Sequence, residues 1–318
     1  MNTVTQNPEI SRGQPPVLGT GGEANPEASF VSGRLLQLDA GVCVDVVGRR
    51  EFGLRHLLTQ HPLLSMEAIA ALADELPSAA VERHAASQPL LVPGGAVDME
   101  NGGAPSETAK TMDRNRLWMV LWNIEQVLRY RKLLDAILDE AEPLLPPRER
   151  GMGRREAFLF VSAPHAVTPV HFDPEHNFLL QIRGSKEVNI GRFADRHAEL
   201  RELDRYHNGG HRNLVEVPPL STTWLLQPGK GVYLYPWAPH WVYNGPDTSV
   251  SLSITFRTRR SEREERVHQV NGWLRRRGWS PTPVGQSAGV DRAKAAYACF
   301  AGWVQRGGRR QRGTRDYS

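Results

Sequence analysis

Residues 168–190, which read TPVHFDPEHNFLLQIRGSKEVNI, contain the strongest signals for fold and chemistry in this chain. Within them, His171 and Asp173 are two positions apart, so on a β-strand both side chains leave the same face. An imidazole and a carboxylate placed in this way are two ligands of a potential metal site. The pair alone is a weak signal, because a surface histidine beside an aspartate has the same sequence pattern. A metal site needs a third ligand from another strand.

Residues 227–244, QPGKGVYLYPWAPHWVYN, supply that third ligand. They contain a Pro-Gly turn, a strand, and then Pro236 and His240 at the start of the next strand. An H-x-D pattern followed about 70 residues later by turn, strand, proline and histidine is the two-motif layout of cupin barrels. We therefore predict that His240 completes a facial triad of two imidazoles and one carboxylate, the ligand set of non-haem Fe(II) oxygenases. The competing histidines are His165, His176, His207 and His211.

Lys186 is a further indicator. In the predicted strand KEVNI it shares a face with the apolar Val188 and Ile190. A lysine directed into a barrel is costly unless its charge is paired, and no acid of that strand lies on the same face. A bound 2-oxo dicarboxylate would pair with it, with the far carboxylate on Lys186 and the near end on the metal. The alternative is a lysine at a strand end that extends to solvent.

The residues around these motifs predict the fold class. After Pro147 the chain consists of short runs rich in β-branched and aromatic residues, separated by Gly- and Pro-containing turns. Six or more such runs with little helix between them predict an antiparallel barrel or sandwich. We therefore expect a mainly β protein with flanking helices. It would be a double-stranded β-helix (cupin/jelly-roll) barrel with a core at about residues 155–258, a helical N-terminal region and short C-terminal helices.

The motifs together resemble a known family. TPVHFDPEHNFLLQIRGSK is similar to the central motif of the JmjC/cupin-like Fe(II)- and 2-oxoglutarate-dependent oxygenases, and most of all to the asparaginyl hydroxylase that acts on hypoxia-inducible factor. The resemblance extends over roughly residues 158–256. It implies that His171, Asp173 and His240 hold Fe(II). It also implies cosubstrate contacts, with the distal carboxylate of 2-oxoglutarate on Lys186 and Thr168 and its metal-proximal end near Asn177.

Two details depart from this pattern. Strand parity does not place Thr168 on the face of His171, so Pro169 would have to distort the strand. On the final barrel strand, Thr255 stands where the hydroxylase has a second cofactor-proximal asparagine. Thr255 is therefore a further candidate cofactor contact.

The resemblance implies hydroxylation of a protein side chain or a small molecule. Fe(II), 2-oxoglutarate and O2 would be used, with succinate and CO2 as co-products and a ferryl intermediate that abstracts hydrogen. Two alternatives stay open on the sequence. The same chemistry on an N-methyl group would make the protein a demethylase, and loss of catalysis would leave a metal-binding cupin sensor.

The sequence also predicts the domain organisation. We expect a flexible leader at residues 1–30, the JmjC/cupin-like oxygenase domain at 31–259, a helical appendage at 260–305 and a disordered basic tail at 306–318. In the N-terminal half, residues 42–47 have strand character, Ser65 caps one helix, and a second helix covers about 125–141.

The C-terminal appendage is predicted to contain two helices. Ser261 with Glu264 forms the pattern of a capping box for the first, and Asp291 is a potential cap for the second. Tyr297 and Phe300 lie on a narrow apolar stripe of the second helix, which must pack either on the barrel or on a second copy of the chain. We predict a homodimer through these helices.

Composition and charge narrow the classes of partner. The 39 Lys and Arg exceed the 35 Asp and Glu, but residues 257–318 alone hold 15 basic and 5 acidic side chains. The main body is therefore acidic and gives no indication of nucleic-acid binding. No apolar run approaches the length of a spanning helix, so no membrane association is expected. Two distant cysteines form no disulfide framework, which favours a cytoplasmic setting.

Overall fold

The computed structural model describes residues 35–94 and 103–312. The predicted leader and the last six residues lie outside this range. The described strands are β1 (Leu36–Gln37), β2 (Phe52–His56), β3 (Val81–Ala85), β4 (Leu117–Leu121), β5 (Gly153–Ser162), β6 (Val167–His171), β7 (His176–Arg183), β8 (Lys186–Gly191), β9 (Leu220–Leu226), β10 (Lys230–Leu234), β11 (His240–Asn244) and β12 (Ser249–Arg257). The described α-helices are α1 (Ala40–Val46), α2 (Met66–Glu75), α3 (Pro105–Lys110), α4 (Met112–Asn115), α5 (Leu128–Ala141), α6 (Arg196–His207), α7 (Arg259–Arg275) and α8 (Ala288–Arg312).

The strands form two antiparallel sheets. The large sheet has the order β1-β2-β10-β7-β12-β5-β4-β3, and the small sheet has the order β6-β11-β8-β9. Of strands β5–β12, four (β5, β7, β10 and β12) lie in the large sheet and four (β6, β8, β9 and β11) in the small sheet, as in a jelly roll. This arrangement confirms the predicted fold class. They occupy residues 153–257, close to the predicted core.

Strand β12 shows how the barrel separates apolar from polar side chains. Val250, Leu252, Ile254 and Phe256 belong to the main hydrophobic core, together with apolar residues of α2 and α5. The intervening Ser and Thr side chains are also buried, but they point to the opposite face. The alternation in the sequence thus separates two faces of β12. One face packs in the hydrophobic core against the helices. The other faces the interior of the barrel, where the functional side chains lie.

The N-terminal region is helical only in part. Four of its strands, β1–β4, extend the large sheet on both sides of the barrel core. The prediction of strand at residues 42–47 is wrong, because residues 42–46 lie in α1 and Val47 is its C-cap. At the start of this helix the Asp39 side chain accepts a hydrogen bond from the Val42 N–H. That cap satisfies one of the free N–H groups of the first turn and favours helix over strand. The predicted cap at Ser65 is confirmed.

The capping of the two C-terminal helices differs from the prediction. Helix α7 begins with a capping box of Thr258 and Ser261, in which each side chain accepts from the other's backbone N–H. Ser261 is thus the third helical residue and not the cap, and Glu264 pairs with Arg260. Helix α8 begins at Ala288, three residues before the predicted cap Asp291. It continues to Arg312, into the range predicted as the basic tail.

Candidate active site

Three side chains from two neighbouring strands meet at one end of the barrel. His171 ends β6, and Asp173 lies two residues beyond it. His240 begins β11, which pairs with β6 so that His240 lies opposite His171. One ligand atom of each residue lies within 4.8 Å of the others. The Nε2 atoms of His171 and His240 lie 3.9 and 3.7 Å from Oδ2 of Asp173. Among the described residues this is the one group of three or more potential ligands that converge in this way.

Backbone contacts fix both imidazoles in the orientation that a metal needs. Nδ1 of His171 lies 2.8 Å from the carbonyl of Pro169, and Nδ1 of His240 lies 2.9 Å from the carbonyl of Ala238. A carbonyl can only accept, so each Nδ1 carries the proton and each Nε2 presents its lone pair to the centre. Two neutral imidazoles and a carboxylate on one face fit Fe(II) and leave other positions open.

The pKa values of the three groups favour the ligand forms. Burial, and after it the neighbouring His240, lowers the pKa of His171 to about 3, and burial also lowers the pKa of His240. Burial alone would raise the pKa of Asp173, but Arg212 and the two histidines outweigh it and lower the pKa to about 2. At neutral pH all three groups can bind a cation without first losing a proton.

Arg212 is a functional residue that the sequence reasoning missed. Its Nη1 donates to Oδ1 of Asp173 at 2.6 Å, which leaves Oδ2 directed at the two histidines. The guanidinium also lies 5.7 Å from the centre of the Trp122 ring. Arg212 therefore holds the Asp173 carboxylate in the orientation that presents one oxygen to a metal. It lies in the polar stretch RYHNGGHRN, which carries no periodic signal that could have indicated it.

We expect Arg212→Met to weaken metal binding about ten- to a hundredfold, the usual effect of removing a partner that orients a ligand. Anaerobic titration with Co(II) would measure the dissociation constant directly. Arg212→Lys should retain part of the affinity because it keeps the charge, and the exposed Arg114→Met serves as the matched control. An unchanged Co(II) affinity in Arg212→Met would show that Asp173 needs no such support.

A β-bulge brings Thr168 to the same side as His171. His240 pairs with His171 and Val242 pairs with Thr168, so two steps along β11 match three steps along β6. The extra residue of β6 reverses the strand parity, as a bulge does. Both side chains consequently line one cavity. On strand parity alone, Thr168 could face the cavity only if β6 were distorted. The bulge in β6, the strand that contains Pro169, is that distortion.

Lys186 points into that cavity. It begins β8, is 6% exposed, and pairs in register with Asn244 of β11. Burial lowers its pKa to about 7. Within the described residues no carboxylate forms an ion pair with it. Its ammonium group is therefore available to pair with an anionic group of a ligand bound in the cavity. The alternative of a lysine extending to solvent is wrong, because the side chain is buried.

Asn177 and Thr255 line the cavity from the large sheet. They are paired in register on β7 and β12. Asn177 accepts a hydrogen bond from Ser253 through Oδ1 at 2.9 Å, which fixes its amide. The hydroxyl of Thr255 is buried and has no hydrogen-bond partner among the described residues. All seven predicted site residues therefore line one cavity of about 370 Å³.

The histidines that competed for the third ligand position serve elsewhere. His176 faces away from the cavity, where Nδ1 lies 2.7 Å from the Tyr233 hydroxyl and the ring stacks on Phe256. His207 packs against Trp237 and His268. Neither belongs to the converging group, and neither do His165 and His211.

The sequence of the barrel matches a known family. Residues 153–263 match the family model described as the JmjC domain. This range includes strands β5–β12, the three converging ligands and Lys186. By this match the segment is similar to a JmjC domain. The part of the chain before it supplies helices and strands that pack around this domain.

Solved structures of YcfD, a ribosomal oxygenase from Escherichia coli, are similar to this chain. A complex with cobalt and 2-oxoglutarate is 16% identical with a TM-score of 0.47, and the match covers 76% of this chain and 57% of that chain. Another YcfD structure is 17% identical with a TM-score of 0.48 and coverages of 84% and 68%. The matches thus span 57% and 68% of the YcfD chains in these two structures. No curated protein matches the sequence.

No helix in residues 35–94 and 103–312 combines the length and apolar character needed to cross a membrane.

Proposed function

We propose that this chain is an Fe(II)- and 2-oxoglutarate-dependent oxygenase that hydroxylates a C–H bond of a protein side chain or a small molecule. The observation that carries the proposal is that the triad His171–Asp173–His240 shares one cavity with Lys186, which is buried and has no ion-pair partner among the described residues. A metal site and a buried cation in one cavity provide the two attachment points that a 2-oxo dicarboxylate requires. The JmjC domain supports the same assignment.

Each predicted site residue has a role in this proposal. His171, Asp173 and His240 would hold Fe(II), and Arg212 would keep the Asp173 carboxylate in place. Lys186, with the Thr168 hydroxyl, would bind the distal carboxylate of 2-oxoglutarate. Asn177 and Thr255 would contact its metal-proximal end, since they lie side by side on the opposite sheet.

Iron in this site would supply the redox chemistry that couples decarboxylation of 2-oxoglutarate to oxidation of the substrate. One oxygen atom of O2 enters succinate, the other enters the hydroxyl group of the product, and CO2 leaves. The protein's contribution is to orient the cosubstrate and to exclude water. Water is excluded by an apolar wall of the cavity, formed by Trp118, Trp122, Phe158 and Phe160.

Turnover of 2-oxoglutarate without an added substrate tests the proposal. We expect the Fe(II)-loaded protein to form succinate from 2-oxoglutarate in the presence of O2, and the Asp173→Ala variant to form none. A protein that binds Co(II) and 2-oxoglutarate but forms no succinate would instead be a non-catalytic sensor. Release of formaldehyde from an N-methylated substrate would identify a demethylase.

We also propose that the chain forms a homodimer through its C-terminal helices. Tyr297 and Phe300 on α8 are 51% and 62% exposed in the single chain, so its own barrel does not cover them. A second copy could cover the same residues by two-fold symmetry.

The dimer proposal predicts a change of mass in solution. Wild-type protein should have twice the 35.5 kDa mass of one chain, and the double variant Tyr297→Glu/Phe300→Glu should have the single mass by light scattering. Leu128→Glu, at another exposed apolar residue on α5, is the matched control. A wild-type protein that is monomeric at micromolar concentrations would contradict the dimer.

A further inference from the structure

The turn between β10 and β11 has an unusual residue at its centre. The Ala238 N–H donates to the Tyr235 carbonyl at 3.2 Å, so Pro236 and Trp237 are the two central residues. Trp237 has a φ of 67°, in the left-handed region. Proline followed by a residue with positive φ is the pattern of a type II turn, in which glycine or asparagine is usual at the second central position. A bulky side chain at this position strains the backbone.

This turn contacts two of the three converging ligands. The Trp237 N–H donates to the Asp173 carbonyl at 2.7 Å. The Ala238 carbonyl accepts from Nδ1 of His240 at 2.9 Å. The N–H and the carbonyl lie on either side of the Trp237 Cα in the chain, so the left-handed conformation sets their relative placement. A change of φ at Trp237 would therefore move the support of one ligand relative to that of the other.

Asp173 depends on this contact for its backbone. It lies in the loop between β6 and β7, so no strand pairing holds its carbonyl. Arg212 fixes one oxygen of its carboxylate, and the Trp237 N–H fixes its carbonyl. Without that N–H, Asp173 would be held at its side chain alone.

The indole ring of Trp237 accounts for the persistence of the strained turn. Phe172 and Tyr206 pack edge-on against it, with ring centres 5.4 and 5.7 Å away. His207 of α6 and His268 of α7 lie 5.5 and 6.1 Å from it. A strained conformation persists only where the surrounding structure fixes it. Here the aromatic cluster fixes the ring, and the ring fixes the turn.

We infer that Trp237 is a positioning residue of the metal centre. Its ring keeps the turn in the left-handed conformation that presents an N–H to Asp173 and a carbonyl to His240. This inference rests on the proposed function, because it takes the triad to be a metal site. It extends that function by making metal affinity depend on α6 and α7, which supply no ligand atom.

Three substitutions of Trp237 separate the ring from the backbone. Trp237→Ala removes the ring but keeps a Cβ, so the turn relaxes to negative φ and metal binding has to reverse this. Trp237→Gly also removes the ring, but glycine adopts positive φ without steric cost. We expect the Ala variant to bind Co(II) about five- to thirtyfold more weakly than the Gly variant, as the cost of the left-handed region implies.

The wild type and a conservative variant give the reference values. Trp237→Gly should bind Co(II) about three- to tenfold more weakly than the wild type, because metal binding has to fix a glycine that no ring holds. Trp237→Phe keeps a ring for the aromatic cluster and should bind within about threefold of the wild type.

Anaerobic titration measures the Co(II) dissociation constants at a temperature at which far-UV circular dichroism shows each variant to be folded. The visible absorption of bound Co(II) is a second readout, since a displaced ligand changes the coordination geometry. Arg116 also has a positive φ, of 53°, but is exposed, so Arg116→Ala and Arg116→Gly are matched controls. The exposed Trp279→Ala controls for loss of a tryptophan. All three controls should bind Co(II) like the wild type.

A merely structural role for Trp237 would lower the melting temperature of its variants and leave the Co(II) affinity and spectrum unchanged. That result, or equal Co(II) affinity in Trp237→Ala and Trp237→Gly, would overturn the inference. If Trp237→Ala does not fold, Trp237→Gly decides, and wild-type affinity in this variant would overturn the inference as well. A wild-type protein that fails to bind Co(II) would instead contradict the proposed function.

Discussion

Replacement of His171, Asp173 or His240 by alanine is expected to remove metal binding and succinate formation while the barrel stays folded. Each residue supplies one of three ligand atoms that converge within 4.8 Å, so each variant leaves at most two. We expect Co(II) affinity to fall by more than the roughly ten- to hundredfold that follows loss of an outer partner. Anaerobic titration of Co(II), with its visible absorption as the signal, measures the loss independently of activity.

Matched variants separate the metal site from general damage. His197 and Asp247 are exposed, so His197→Ala and Asp247→Ala change the same residue types without touching the cavity. Both should bind Co(II) like the wild type, and all variants should keep the far-UV circular dichroism of the folded chain. Full Co(II) occupancy and activity in His240→Ala would refute the assignment of the third ligand.

The metal triad and the barrel were predictable because both follow from strand geometry. The same-face spacing of His171 and Asp173, and the position of His240 at the start of a later strand, need only the two-residue period of a β-strand. The burial of Lys186 followed from the same period. In each case the sequence pattern and the three-dimensional arrangement obey one local rule.

Thr168 and Arg212 show where local rules are insufficient. Thr168 reaches the cavity through a bulge, which depends on how β6 pairs with β11 and not on β6 alone. Arg212 reaches Asp173 from a segment 39 residues away in sequence, and only the folded chain brings the two together. Long-range pairing leaves no periodic signal in one sequence. Strand period alone therefore predicted neither contact, and Thr168 was indicated only by the family resemblance.

The errors at the helix ends have a different cause. Residues 42–47 are rich in valine, which favours strand, but the Asp39 cap determines helix. At α7, both Thr258 and Ser261 are suitable caps, and the sequence pattern with Glu264 selected the wrong one. Each error concerns a choice between two local hydrogen-bond patterns.

Lys186→Ala is expected to raise the KM and the dissociation constant for 2-oxoglutarate about ten- to a hundredfold with metal binding intact. A hydrogen bond to a charged group contributes ~1.5–3 kcal/mol, and the described residues offer the distal carboxylate no other buried lysine. Lys186→Arg should restore part of the affinity, because the charge remains but the planar guanidinium fits the space of an ammonium poorly. The exposed Lys230→Ala is the matched control.

The pH dependence of 2-oxoglutarate binding gives a second, independent measure of Lys186. Burial lowers its pKa to about 7, so above that pH the free protein holds a neutral amine. Binding of a carboxylate requires the ammonium form and therefore takes up a proton. We expect the affinity of the metal-loaded protein to be constant below about pH 7 and to fall by up to about tenfold per pH unit above it, until the pKa of the complex is reached. Lys186→Ala should bind weakly with no such decline, and a wild-type affinity that stays constant from about pH 6 to about pH 9 would contradict a role for Lys186 as the buried cation.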